Sequence, residues 1–300
     1  MNRKSELKGT FCVFMAAFIW GYAVVAQKNG TEFLGPFTFT GFRCLMGSMI
    51  VFPIMLFFNQ KKTPEEKCAE NNPKILVLGS LLGGILVAAF NTLQQTGLAY
   101  TDAGKSAFIT ALYILFVPIF GLFMKQHVAP RIWVCVAIAL TGFYIMCMTE
   151  GLSAINKGDL FVLAGTVLIA VHMYVIDYMV TKTDALKFNC LQFFFAGIIG
   201  STIALIWEQP TIEAVMNCAF PLLYAGFISS GLGYLFQVVG QQYLNPAKTS
   251  LILSSESVFA LFSGMIFLHE ILTGKEYIGC AMIFAAILLS QLEPKKKNIN

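Results

Sequence analysis

Runs of about twenty apolar residues recur along the whole chain, each long enough to carry an α-helix through about 30 Å of hydrocarbon. Ten can be drawn, over residues 9–27, 36–58, 74–98, 104–124, 130–149, 158–180, 187–207, 218–241, 247–268 and 274–292. An outer-membrane barrel would instead alternate apolar and polar residues in strands of about ten. Composition excludes a soluble fold. Of the 300 residues, 57% are hydrophobic and only 12% are charged, against about a quarter charged in soluble chains. The longest polar link, "NQKKTPEEKCAENNP" from Asn59 to Pro73, leaves no room for a soluble domain, so any function is expected inside the bilayer.

Lysine and arginine asymmetry sets the orientation. With the N-terminus in the cytoplasm, fifteen of the 20 basic residues fall on the cytoplasmic side and four (Lys28, Lys105, Lys157, Lys275) on the other, with Arg43 inside a span. Both termini are therefore expected in the cytoplasm of a plasma-membrane protein, and "MNRKSELKGT" is read as the lead-in to an uncleaved first span. The net charge of +4 is ordinary membrane topology and implies no nucleic-acid partner. The eight cysteines are scattered without a C-x-x-C pair, and His127, His172 and His269 lack metal-ligand spacing, so buried thiols and no metal are expected. No P-loop, GxGxxG, H-E-x-x-H or Ser/His/Asp pattern appears; no cofactor and no ATP-driven step is expected.

The chain repeats itself. "KGTFCVFMAAF" from Lys8 is echoed by "KGDLFVLAGTV" from Lys157, and "YTDAGKSAFIT" from Tyr100 by "YLNPAKTSLIL" from Tyr243. Gln94 and Gln237 stand at matching distances before the two tyrosines. The halves, residues 1–150 and 151–300, each hold five spans. An odd number turns the second half upside down relative to the first. The expected fold class is an all-α integral membrane protein of ten transmembrane helices in two inverted five-helix repeats, an arrangement typical of secondary transporters with midplane sites.

"FIWG" (Phe18–Gly21), "PFTFTGFR" (Pro36–Arg43) and "LHEILTGKEYIGCAMIFAAILL" (Leu268–Leu289), in this order and spacing, resemble the drug/metabolite transporter superfamily in its EamA-type branch. The resemblance runs from about Gly9 to Leu292 and implies two inverted bundles, with spans 1–4 and 6–9 around a central cavity and spans 5 and 10 peripheral. It also implies an arginine at position 43. Glu270 matches the glutamate that the family carries after span 9, but "KQH" (Lys125–His127) replaces its counterpart after span 4, and Ser257 follows Glu256 where the family often has proline.

An ionisable residue inside a span is a functional candidate because charge there is costly. Arg43 suits an anionic substrate group, or a structural partner such as Glu256. Glu256 is placed near the midplane, where it would carry a proton or pair with Arg43 or Lys248. Ser254 and Ser255 are expected to bond between helices. Asn91 and Gln94 share one helix face, while Tyr234, Gln237 and Gln241 form a stripe at spacings of three and four, two amide-bearing faces related by the repeat. Trp20 lies far from either interface, and with Tyr113 it is a further cavity candidate. His172 is a titrating candidate. Lys105 and Lys248, repeat-equivalent at the turns "TDAGK" and "NPAK", are candidates for gating, with snorkelling to the interface the simpler reading.

The substrate-binding set is thus Trp20, Arg43, Asn91, Gln94, Tyr113, Tyr234, Gln237 and Gln241; the coupling or gating set is Glu256, His172, Lys105 and Lys248. Together they suggest a transporter of a small, amino-acid-like metabolite, monomeric or homodimeric, with proton coupling open. Export is the direction that the resemblance favours, with uptake the alternative. An intramembrane lipid-modifying enzyme would need a clustered catalytic set at one interface, and the sequence has none.

Overall fold

The structure, a computed structural model, describes residues 3–63, 72–101, 103–126, 128–147, 156–267 and 273–291. Every regular element among them is helical: α1 (Arg3–Gly30), α2 (Pro36–Gln60), α3 (Pro73–Leu98), α4 (Ala103–Ala111), α5 (Tyr113–Phe123), α6 (Pro130–Cys147), α7 (Lys157–Lys182), α8 (Ala185–Trp207), α9 (Ile212–Asn217), α10 (Ala219–Leu223), a π-helical stretch (Tyr224–Gly233), α11 (Tyr234–Gln241), α12 (Pro246–Leu253), α13 (Glu256–Phe267) and α14 (Gly274–Gln291). Among the described residues six helices are long and apolar enough to cross a bilayer: Lys4–Gly30, Pro36–Gln60, Pro73–Leu98, Lys157–Lys182, Ala185–Trp207 and Ala219–Gln241. The stretches Ile109–Phe123, Pro130–Gly142 and Tyr277–Ser290 are apolar but shorter. Asp102 of the "TDAG" turn, His127, Glu270 and the basic tail Lys295–Lys297 lie outside the described residues, as does the Lys105 side chain.

Local chemistry starts these helices. Pro36, Pro73 and Pro246 occupy first-turn positions, where the missing N–H costs nothing. The Asn72, Asp184 and Asn245 side chains accept from the backbone N–H of Ile75, Lys187 and Lys248. Asn156 and Asp159 form a reciprocal capping box on α7.

Spans 104–124 and 247–268 are not single helices. The first divides between α4 and α5 at Leu112, the second between α12 and α13 at Ser254–Ser255. At both breaks the ladder tightens to bonds three residues back, Leu112 N–H to Ile109 O and Ser255 N–H to Ile252 O, each 3.1 Å. Ser254 and Ser255 donate to their own chain, at Leu251 O (2.6 Å) and Ile252 O (2.7 Å), rather than across to another helix. Such back-bonding to the preceding turn bends a helix. Hydropathy is continuous through Leu112 and carried no trace of that break, whereas the second break falls on the polar run Ser254–Ser257.

Contacts at the two ends of the molecule explain the recurring motifs. Lys8 lies over the Tyr243 ring at 5.3 Å, and Lys157 over the Tyr100 ring at 3.7 Å. The adjoining backbones touch in the same way. A Cβ on Gly240 would sit 3.0 Å from Gly9 O, and one on Gly97 would sit 2.8 Å from Gly158 O. The recurring lysine, glycine and tyrosine are therefore the parts of one contact made twice, between α1 and α11 and between α7 and α3. Gly97→Val and Gly240→Val are each expected to lower thermal stability by about 1–3 kcal/mol through overpacking. Detergent thermal-shift measurements check this; an unchanged midpoint in either variant would show that the approach is not tight.

Helices α2 and α8 run antiparallel and are clamped at both ends. Glu208 receives the N–H groups of Phe37 (2.9 Å) and Thr38 (2.7 Å) at the α2 N-terminus, where a carboxylate complements the helix dipole. Lys62, just beyond α2, pairs with Asp184 at the start of α8. Helix α3 packs on α7 and α8, α1 on α11 and α13, and α6 on α14.

Candidate binding cavity

The interior of the protein holds a small cavity of about 40 Å³, lined by residues of both halves. Much of its lining comes in pairs related by the repeat: Trp20 with Ile169 at the spacing of Lys8 to Lys157, and Asn91 with Tyr234, Gln94 with Gln237, Thr110 with Leu253 and Tyr113 with Glu256 at the spacing of Tyr100 to Tyr243. Tyr113 and Glu256 are the first residues after the two helix breaks. The bends therefore bring equivalent positions to one place, where the two halves differ in chemistry.

Arg43, 2% exposed, sits in this wall and makes no ion pair with a described residue. Its Nε donates to Ser230 Oγ (2.8 Å), Nη1 to Gln27 Oε1 (3.1 Å) and Nη2 to Ser229 Oγ (2.9 Å). Both serines lie in the π-helical stretch, whose wider winding leaves the Ser229 carbonyl to accept from Trp20 Nε1 at 3.1 Å. A guanidinium carries five N–H bonds; three are spent on the protein and two remain. Arg43 and Glu256 do not pair, which answers the question left open by their positions in sequence. The Glu256 carboxylate makes no hydrogen bond or ion pair with a described residue.

Trp20 and Tyr234 are in ring contact (centroids 4.6 Å), and Tyr234 also meets Phe193 and His172 at 4.8 and 6.4 Å. Gln192 Nε2 donates to Asn189 Oδ1, so its Oε1 accepts from His172 Nε2–H at 2.9 Å. Asn91 Nδ2 donates to Val87 O and Gln94 Nε2 to Thr110 Oγ1. Gln237 Oε1 is buried without a partner among the described residues. A bare amide oxygen, an unpaired carboxylate and two spare guanidinium N–H groups thus face one space. Buried polar groups left in this state are costly unless something else satisfies them.

Of the residues singled out from the sequence, Trp20, Arg43, Asn91, Gln94, Tyr113, Tyr234, Gln237, Glu256 and His172 line the cavity. Gln241 does not; its Nε2 donates to Met173 O at 3.0 Å, tying α11 to α7. Lys248 pairs with Glu6 at the end of the molecule that carries the N-terminus, away from the cavity. Gln27, Ser229, Ser230 and Thr110 also belong to the site and were not anticipated. For Thr110 the repeat was the available signal, since Leu253 stands at its equivalent position; for the serines there was none, because the π-helical register is a tertiary feature.

Contacts tie the elements together at both ends of the molecule. At the end opposite the N-terminus, Lys28 Nζ donates to Leu98 O and Thr101 O (2.6 and 3.0 Å), and Thr101 Oγ1 donates to Asp159 (2.7 Å). At the N-terminal end stand Lys8 on Tyr243, Lys248 with Glu6 and Lys62 with Asp184.

A cavity lined by polar and aromatic side chains from both halves of a multi-pass helical protein fits a membrane transporter. The chain belongs to the EamA-like transporter family, whose model matches residues 7–148 and again 156–292, once in each half. It is 25% identical to an uncharacterized transporter of Archaeoglobus fulgidus over 93% of this chain and 84% of that one. It is 24% identical to the uncharacterized transporter YoaV of Bacillus subtilis over 96% and 98%. A solved crystal structure superposes with a TM-score of 0.77 at 14% identity, covering 94% of this chain and 96% of the other, a likeness of fold alone. The protein is therefore a transporter and not an enzyme.

Proposed function

We propose that the protein is a secondary transporter that carries a small, amino-acid-like metabolite across the plasma membrane by alternating access, with both termini in the cytoplasm. In this reading ten spans form two inverted five-helix repeats, residues 1–150 and 151–300, which exchange conformations around the cavity. Export is the direction that the family resemblance favours.

The observation that carries the reading is the pair Arg43 and Glu256, a guanidinium and a carboxyl group that line one cavity without bonding to each other. A zwitterion would bring a carboxylate to the spare guanidinium N–H groups and an ammonium to the carboxylate, and its apolar part to Trp20, Tyr234 and Phe90. At about 40 Å³ the chamber holds a few water molecules at most. Admitting a metabolite requires the halves to move apart, and the end contacts, one set at each face, are the ones that must break in turn.

Flux of a metabolite panel in proteoliposomes, with and without a proton gradient, tests the proposal. Saturable movement of zwitterions ahead of simple anions or simple amines is expected. Movement of anions alone, or of none of the panel, would remove the zwitterion reading.

A further inference from the structure

A second and larger opening lies at the end that carries the N-terminus, between α1 and α11 on one side and α2 and α8 on the other, with a volume of about 560 Å³. Its inner wall is apolar, from Ile54, Phe58, Leu235, Phe236 and Val239. Its rim carries Lys8, Lys61 and Lys62, with Asp184 the acidic residue among its lining. Lys62 pairs with Asp184. Among the described residues Lys8 reaches the Tyr243 hydroxyl, at 3.5 Å, and Lys61 lies over the Phe57 ring at 4.1 Å. Two cations therefore stand at the mouth of an apolar groove without a carboxylate partner among the described residues.

The part of this charge that follows α2 is absent from the other half of the protein. The segment that follows α8 occupies the place corresponding to Lys61 and Lys62 after α2, and it reads Glu208, Gln209, Pro210 and Thr211. There the carboxylate turns inward to cap α2. Lys8 has its repeat counterpart in Lys157 on the opposite face, whereas the Lys61–Lys62 pair has none in this segment.

We propose that this groove binds one anionic diacyl phospholipid of the adjacent leaflet, its phosphate between Lys8 and Lys61 and an acyl chain along Phe58, Leu235 and Val239. Cationic side chains at the rim of an apolar wall match the two ends of such a molecule. The groove crosses two of the contacts that close this end, Lys8 on Tyr243 and Lys62 with Asp184. A lipid lodged there bridges the same elements and favours the closed arrangement.

The test is native mass spectrometry of the purified protein in detergent, titrated in separate arms with phosphatidylglycerol, phosphatidylcholine and glycerol phosphate. Wild type is expected to retain one phosphatidylglycerol and to bind the other two far less. Lys8→Gln with Lys61→Gln is expected to weaken retention by about tenfold or more, whereas Lys125→Gln with Lys182→Gln, which changes basic residues outside the groove, leaves it unchanged. Val239→Trp, which fills the apolar wall and keeps the lysines, is expected to weaken it as well. Equal retention of phosphatidylcholine, equal loss in the Lys125/Lys182 control, or unchanged retention in the Lys8/Lys61 variant each overturns the proposal. Binding of glycerol phosphate as tight as that of the lipid overturns the acyl-chain half. If the glutamine variant does not fold, Lys8→Arg with Lys61→Arg, which keeps the charge, must retain the lipid for the assignment to stand.

Discussion

Arg43→Met is expected to abolish transport and to cost a few kcal/mol of stability. The thioether fills a similar volume, but it leaves Gln27 Oε1 and the hydroxyls of Ser229 and Ser230, now held at 2.8–3.1 Å by the guanidinium, without their donor. Each buried polar atom orphaned in this way costs about 1–3 kcal/mol. Stability alone does not separate a structural arginine from one that holds substrate, so the informative variant is Arg43→Lys. An ammonium keeps the charge but lacks the planar fork that serves three acceptors with two N–H bonds left over. This variant is expected to fold, with a lower melting temperature, and to raise KM for zwitterions by about tenfold or more, roughly the worth of one lost charge-assisted hydrogen bond. Concentration-dependent uptake into proteoliposomes measures it. An unchanged KM with only a lower kcat would make Arg43 a strut between α2 and the π-helical stretch, not a substrate ligand.

Glu256→Gln is the second large effect. The amide keeps the shape of the side chain and removes both its charge and its capacity to exchange a proton. If Glu256 couples transport to protons, the variant will still exchange labelled for unlabelled substrate at equilibrium but will no longer accumulate substrate against a gradient. Arg43, His172, Tyr113 and Tyr234 share the cavity wall, so the comparison is made at several pH values in wild type and variant. Full gradient-dependent accumulation by Glu256→Gln would end the coupling role. Loss of exchange for zwitterions but not for anions would assign the carboxylate to the substrate ammonium instead.

How much of this was legible in the sequence varies residue by residue. The amide pair Gln94 and Gln237 was legible, because the repeat placed both before a matching tyrosine. The equivalence of Tyr113 and Glu256 was present in the same alignment, but a tyrosine and a glutamate share no chemistry that would draw attention to it. Gln241 belonged to the expected stripe by helical spacing, yet its amide holds the Met173 carbonyl. Gln95, adjacent to Gln94, turns away from the cavity and donates to Gln27 O at 2.9 Å.

Composition, the length of the apolar runs and the repeated motifs determined the class of this protein: helical, membrane-embedded, duplicated, with a handful of polar groups too costly to be idle in a bilayer. Those properties are additive along the chain, and a count reveals them. Which face of each helix meets lipid, which meets protein and which meets the cavity was decided only by the tertiary structure. In a membrane the lipid-facing and protein-facing sides are equally apolar, so no periodicity encodes the rotation of a helix. Nor does hydropathy register the bend at Leu112 or the π-helical winding of Tyr224–Gly233, although the polar run Ser254–Ser257 marks the bend at Ser255. These three departures from the straight α-helix bring Tyr113, Glu256, Ser229 and Ser230 to the cavity wall and to Arg43.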